Sequence, residues 1–222
     1  MMPVDGMRSH GWGRGLRGLV AAGCAMLSWS GAAWAVEEEP IAAQAVVGQA
    51  APAFMATDTH GQRVESSAWQ GKIVVLEWFN PECPFVKKHY GSGNMQRLQH
   101  AYTQQGLVWI SINSSAPGKQ GSLTPDQANA WAQQQGAAPT SILLDPEGAL
   151  GKRFGAKTTP HLFVIDGAGV VRYQGAIDDH PSTDQADVAG AVNYAAQALD
   201  ALLAGQPVAV SSEPSYGCSV KY

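Results

Sequence analysis

Cysteine is scarce in this chain: only Cys24, Cys83 and Cys218 are present, so no more than one intramolecular pairing can exist at a time. Basic residues are outnumbered, with 14 Lys and Arg against 18 Asp and Glu, and they form no basic stripe. An acidic domain of this kind is a poor partner for nucleic acid. No glycine-rich phosphate loop follows an apolar strand, so the sequence offers no nucleotide site. There is no internal repeat. Beyond residue 35 no segment is long and apolar enough to cross a membrane, which takes about 20 residues.

The N-terminus carries Arg8, Arg14 and Arg17 ahead of an apolar stretch over 19–34. The small-x-small site Ala33-Trp34-Ala35 closes that stretch, and Glu37-Glu38-Glu39 follows at once. This pattern predicts a secretory signal peptide over 1–35, and export to the periplasm or the exterior. Cys24 is expected to leave with it. Loss of Arg8, Arg14, Arg17 and Asp5 takes the formal net charge from −4 to −6. The two remaining cysteines then sit in a compartment where disulfides persist. Residues 36–46, rich in Ala and Glu without periodicity, read as a flexible lead-in, and 47–222 as one domain long enough for a proper core.

Within that domain Cys83 carries the most information. The apolar run 73–79, bounded by Gly71-Lys72 and Asn80-Pro81, predicts a central strand covered on both faces. Pro84 is suited to the first position of a helix, where its missing N–H costs nothing. A thiol placed between the two meets unpaired backbone N–H groups and the positive end of the helix dipole, which favour thiolate.

Flanking segments supply the rest of an α/β domain. Residues 54–57 and 62–65 flank the turn Asp58-Thr59-His60-Gly61 as a hairpin. Gly91-Ser92-Gly93 interrupts the helix begun at Pro84, and Asn94 is expected to cap a second piece ending near Gly106. Strands are expected over 107–112, 141–144, 162–166 and 170–174, with Thr124-Pro125 opening a helix to about Gln135 and a final helix over 186–204. The order predicts a central mixed sheet flanked by helices, with chemistry gathered in the loops at 80–84, 113–122 and 158–160.

From residue 48 onward the chain resembles the thioredoxin-like redoxin superfamily, and most closely its peroxiredoxin-like (AhpC/TSA-related) branch. The resemblance rests on Cys83-Pro84-Phe85-Val86-Lys87-Lys88-His89, on Thr159-Pro160-His161-Leu162-Phe163-Val164-Ile165-Asp166, and on Gly217-Cys218-Ser219-Val220-Lys221. It implies a thioredoxin-like fold and a thiol-disulfide oxidoreductase or peroxiredoxin-like antioxidant activity. It further implies a cis Pro160, with Thr159 and Pro160 beside Cys83 binding the substrate chain through backbone groups. No cofactor is implied; the partners would be a disulfide or peroxide substrate and an external thiol reductant.

Glu77 stands six residues before Cys83, where thioredoxins carry an acid. Buried there it would have a raised pKa and relay a proton to or from the thiol; alternatively it reaches solvent or pairs with a lysine. The chain also departs from its relatives. Val86 occupies the place of a second thioredoxin-type cysteine, and Asn80 that of the peroxiredoxin Thr or Ser. Pro160 takes the place of the peroxiredoxin arginine, leaving Arg153 or Lys87 as substitute cations. Cys218 is then the thiol that would resolve a mixed disulfide or sulfenic acid on Cys83, unless the pair is a permanent clamp, which would contribute about 4 to 5 kcal/mol by loop closure.

A second reading is thiol-dependent copper binding or delivery through Cys83, His89 and His161. Lys87-Lys88 is read as a solvated helix face and Asp178-Asp179-His180 as a polar loop.

Overall fold

The computed structural model describes residues 44–222. The expected signal peptide, Cys24 and most of the lead-in therefore lie outside the described residues. Of the lead-in, 44–46 are described, and Ala45 is packed in the same cluster as Leu150 and Phe154 rather than loose.

In chain order the elements are β1 (Met55–Thr57), β2 (Arg63–Glu65), β3 (Val74–Trp78), α1 (Pro84–Gly91), α2 (Asn94–Thr103), β4 (Val108–Asn113), α3 (Pro125–Gln135) and β5 (Ser141–Leu144). There follow α4 (Ala149–Phe154), β6 (Thr158–Thr159), β7 (His161–Ile165), β8 (Val171–Gly175), α5 (Tyr194–Leu203) and β9 (Cys218–Ser219). The main sheet runs β5-β4-β3-β7-β8, with β3 parallel to β4 and antiparallel to β7. Two small antiparallel pairs, β1 with β2 and β6 with β9, stand apart from it.

The sheet alternates as a strand covered on both faces must. Val75 and Phe79 point into one cluster with Trp109, Leu162 and Val164, roofed by Val86 and Tyr90 of α1, Met95 and Leu98 of α2 and Leu199 of α5. Val74, Leu76 and Trp78 point into the other, with Ile110, Phe163 and Phe154 of α4. Both clusters are needed for β3 to be continuously apolar, and Glu77 interrupts that run on the face covered by α1 and α2.

Three local expectations differ from the structure, and one helix, α4, was not anticipated. Gly93, with a φ of 72°, occupies the N-cap of α2, and Asn94 is already helical; its side chain turns back to His89 instead of capping. The expected final helix breaks at Gly190 into a short turn, 185–189, and α5, because Asn193 caps Ala196 N–H and restarts the helix. The six-residue α4 is too short for a periodic signal; it is nucleated by Asp145, whose carboxylate accepts from Leu150 and Gly151 N–H and from Ser114 Oγ. Lys88 is not a solvated residue: it is buried, whereas its neighbour Lys87 is exposed.

Thr124 and Gln127 form a reciprocal capping box at the start of α3, with Pro125 at the first helical position. Thr124→Ala is expected to lower unfolding free energy by roughly 1 kcal/mol, measured by urea denaturation, with little change in the slope of the transition.

Candidate active site

The loop leaving β3 is tied down before it reaches Cys83. Phe79 N–H bonds Ile112 O at 2.9 Å, Asn80 Oδ1 accepts from Glu82 N–H at 2.9 Å, and Asn80 Nδ2 donates to Gln120 O at 3.0 Å. Asn80 is thus a staple between loops. Gly121 makes room for it, since a Cβ there would fall 2.0 Å from Asn80 Oδ1. Cys83 N–H then bonds Asn80 O, and Cys83 becomes the N-cap of α1.

Around that sulfur four of the five expected site residues converge. The Thr159–Pro160 peptide is cis, and Cys83 Sγ lies 3.0 Å from Thr159 O. Cys218, far along the chain, is a free thiol whose Sγ lies 2.7 Å from Cys83 Sγ. It is held there because β9 pairs with β6 in the register Thr159↔Cys218 and Thr158↔Ser219. Val220 N–H continues the pairing to Lys157 O, and Ala116 N–H donates to Lys221 O. Cys83 is 0% exposed, and the tail that bears the half-buried Cys218 helps to cover it.

The two thiols differ in acidity. Burial pushes Cys83 up, but hydrogen bonds from the Cys218 thiol, from Val86 and Cys218 backbone N–H groups and from the Thr159 side chain outweigh it, and Cys83 lies below the ordinary cysteine value of 9.0. Cys218 is pushed up to about 11 by burial, by its bond to Cys83 and by the charge there, with Lys221 pulling weakly the other way. The pair therefore ionises at Cys83.

Glu77, the fifth expected residue, neither reaches solvent nor meets a lysine. It is buried, and Tyr90 OH, Gln99 Nε2, Trp109 Nε1 and Ser111 Oγ all donate to its carboxyl group, at 2.7, 3.1, 2.8 and 3.0 Å. Burial raises its pKa above 4.5 against the opposing pull of those four bonds. Tyr90 ties the cluster to α1, the helix that Cys83 opens.

A second polar cluster escaped the sequence reading. Lys88 Nζ lies 3.3 Å from Asp178 Oδ2 and 2.6 Å from His180 O, with both charged side chains buried. Asp178 also receives the hydroxyl of Tyr216, two residues before Cys218. His89 Nε2 lies 3.1 Å from that same hydroxyl, and its Nδ1 lies 3.0 Å from Asn94 Nδ2. Burial lowers His89 to about 4, with Asp178 opposing and Lys88 assisting, so the ring is neutral at physiological pH. Asn94 Nδ2 can only donate, so His89 Nδ1 accepts and Nε2–H donates to Tyr216, which donates onward to Asp178. Asp178 is therefore a buried anchor for α1 and the tail, which corrects the polar-loop reading. A sequence signal existed only in the Tyr-x-Cys spacing, which places Tyr216 and Cys218 on one face of an extended segment.

The cations considered as peroxide partners lie elsewhere: Arg153 donates to Ala53 O at an exposed position, and Lys87 is exposed. The ligands considered for copper are engaged as well. Both His89 nitrogens are used, and His161 Nδ1 accepts from Lys157 N–H at 3.2 Å. Among the described residues no group of three or more His, Cys, Asp or Glu is assembled for a metal.

A strand-to-helix thiol facing a cis Thr-Pro bend, on a mixed sheet of order β5-β4-β3-β7-β8, defines a redoxin with a thioredoxin-like fold. The AhpC/TSA family model matches residues 47–174, and the chain belongs to that family. It is 28% identical over 165 residues to the thiol:disulfide interchange protein DsbE of Escherichia coli K12, covering 71% of this chain and 80% of that protein. A solved structure of an uncharacterised conserved protein from Geobacillus kaustophilus is similar at 27% identity and a TM-score of 0.70, covering 80% of this chain and 92% of its own. A hypothetical protein from Sinorhizobium meliloti is similar at 25% identity and a TM-score of 0.66, covering 80% and 94%.

The folded carboxyl of Glu77 holds its proton to higher pH than the unfolded one, so Glu77 detracts progressively from stability as pH rises above 4.5. Glu77→Gln should therefore gain stability relative to the parent as pH rises from 4.5 towards neutrality, read as the difference in urea-unfolding free energy at several pH values. A difference independent of pH would contradict a proton-retaining Glu77.

Proposed function

We propose that this chain is an exported thiol-disulfide oxidoreductase in which Cys83 and Cys218 are the redox pair. The observation that carries the reading is the 2.7 Å approach of the two sulfurs at the Thr159–Pro160 bend. In the reduced protein the Cys83 thiolate attacks one sulfur of a substrate disulfide, forming a mixed disulfide and releasing the first substrate thiolate. Cys218 loses its proton and attacks the Cys83 sulfur. That step closes the Cys83–Cys218 bridge and releases the second substrate thiolate, so two electrons have passed to the substrate. Thr159 and Pro160 position the substrate chain through backbone groups, and the Glu77 carboxyl, whose pKa burial raises, serves as the proton relay. An external dithiol resets the pair by attacking Cys218, the more exposed sulfur, because Cys83 is the better leaving thiolate.

Disulfide exchange is favoured over peroxide reduction because Asn80 is committed to loop contacts and Arg153 to Ala53 O. The relative named as a thiol:disulfide interchange protein supports the same choice and, with the leader pattern at 1–35, supports a periplasmic or secreted location.

A permanent clamp and a redox pair differ in potential. Hydrogen bonds that lower the Cys83 pKa stabilise the reduced form, so the bridge should titrate reversibly in a dithiol buffer above the roughly −300 mV typical of structural disulfides. Cys83→Ser should abolish reduction of a model protein disulfide, and Cys218→Ser should stop after one equivalent as a mixed disulfide on Cys83. A bridge that never forms, or a Cys83 without reactivity towards disulfides, would refute the reading.

A further inference from the structure

The sulfur of Cys83 is 0% exposed, and the group that lies against it is the Cys218 thiol, carried on the tail. A substrate sulfur that reaches Cys83 must therefore stand where Cys218 stands. The local geometry then constrains the residues around that sulfur. Gly217, at a φ of 136°, lies so close to the cis-proline bend that a Cβ on it would be 2.1 Å from Thr159 O and 3.2 Å from Pro160 N. The position ahead of the cysteine therefore has no space for a side chain.

One residue further back, the Tyr216 ring fills a built pocket. Phe85 lies beside it at a ring-centroid distance of 5.7 Å, and Lys88 Nζ lies 5.5 Å from its centroid. Its hydroxyl is gripped between His89 Nε2–H and the Asp178 carboxylate. Asp178, Lys88 and His89 are all buried, at 2%, 1% and 0% exposure, so removing the phenol leaves a buried carboxylate and imidazole short of a partner. An occupant that restores a flat ring with a hydroxyl at the same place removes that cost.

We propose that residues 216–219 occupy, as an internal mimic, the groove used by the substrate strand, and that Asp178 and His89 make this groove select an extended polypeptide with a tyrosine two residues ahead of its reacting cysteine. The proposal rests on the exchange chemistry above. In each cycle the tail and the substrate alternate in one place: the substrate strand pairs with Thr159 while its sulfur is attacked, and the tail returns with Cys218 to close the bridge. Asp178 and His89 act as specificity-determining residues; they touch the occupant two residues away from the reacting sulfur.

The test uses the full chain with Cys218→Ser, alone and combined with Gly217→Val, whose added side chain cannot enter beside Thr159. The probe is a synthetic peptide with the sequence of residues 215–222, its cysteine carried as a thionitrobenzoate disulfide, alongside a version with phenylalanine in place of its first tyrosine. Attack by Cys83 forms the Cys83–peptide disulfide and expels thionitrobenzoate; the adduct is assigned to Cys83 by mass mapping. Gly217→Val should speed capture about tenfold, and the tyrosine peptide should be captured about tenfold faster than the phenylalanine one, the loss expected for a hydrogen bond to a charged group. Tyr216→Phe in the Cys218→Ser background adds no bulk and should also speed capture, guarding against misfolding of the valine variant. Equal capture of the two peptides overturns the selection, and capture unchanged by both tail variants overturns the occupancy. A Cys83 that ignores free dithionitrobenzoate in every variant overturns the exchange chemistry itself, whereas one that reacts with it but takes both peptides alike overturns the groove assignment alone.

Discussion

The two-residue pairing of β6 with β9 is the contact on which the rest of the arrangement depends. Two ladder positions contribute little on their own, since isolated pairs of strands are marginal in water. Their effect comes from register. With Thr159 opposite Cys218, the second sulfur meets the first at the N-terminus of α1; a slip of one residue would turn Cys218 to the opposite face and bring Gly217 or Ser219 over Cys83. The register is pinned just ahead of Cys218, by Gly217 against the cis-proline bend and by the Tyr216 hydroxyl in its buried cage.

The electrostatics of the site follow from that placement. Cys83 lies at a helix start, which favours its anion, yet it is buried, which opposes it. Donors supplied by the tail and by Val86 tip the balance towards thiolate, while the same proximity drives Cys218 the other way. Beneath them the sheet holds Glu77 inside four donors drawn from three elements, and beside them Lys88 and Asp178 share a buried ion pair. Such a pair is costly to desolvate and serves geometry more than net stability. Here it links α1, the segment around Asp178 and the tail.

Features governed by neighbours in sequence were legible, and those governed by distant partners were not. The buried run of β3, the Cys83-Pro84 junction and the Thr124-Pro125 helix start each carry a local rule, and each is found where that rule puts it. Lys88 looked solvated because nothing nearby neutralises it; its carboxylate partner is 90 residues away. The β6–β9 pair has no periodicity to read, and the role of Asp178 emerges only when the chain returns Tyr216 to it. The sequence pointed to Glu77 as unusual, but it could not show that its partners are neutral donors instead of a lysine.

The end of the tail has its own mooring. The Tyr222 ring rests in a notch opened by Gly148 and Gly151 at the start of α4, and its hydroxyl donates to Ala156 O at 2.7 Å. The cysteine segment is therefore strung between two fixed points, with Ser212 bridged to Gln174 and Tyr222 seated against α4. A segment held at both points can bow outward to admit another strand without Tyr222 leaving its notch. In the proposed cycle the Cys218 sulfur then stays at high effective concentration over Cys83, and closure becomes a short local displacement in place of a search by a loose segment.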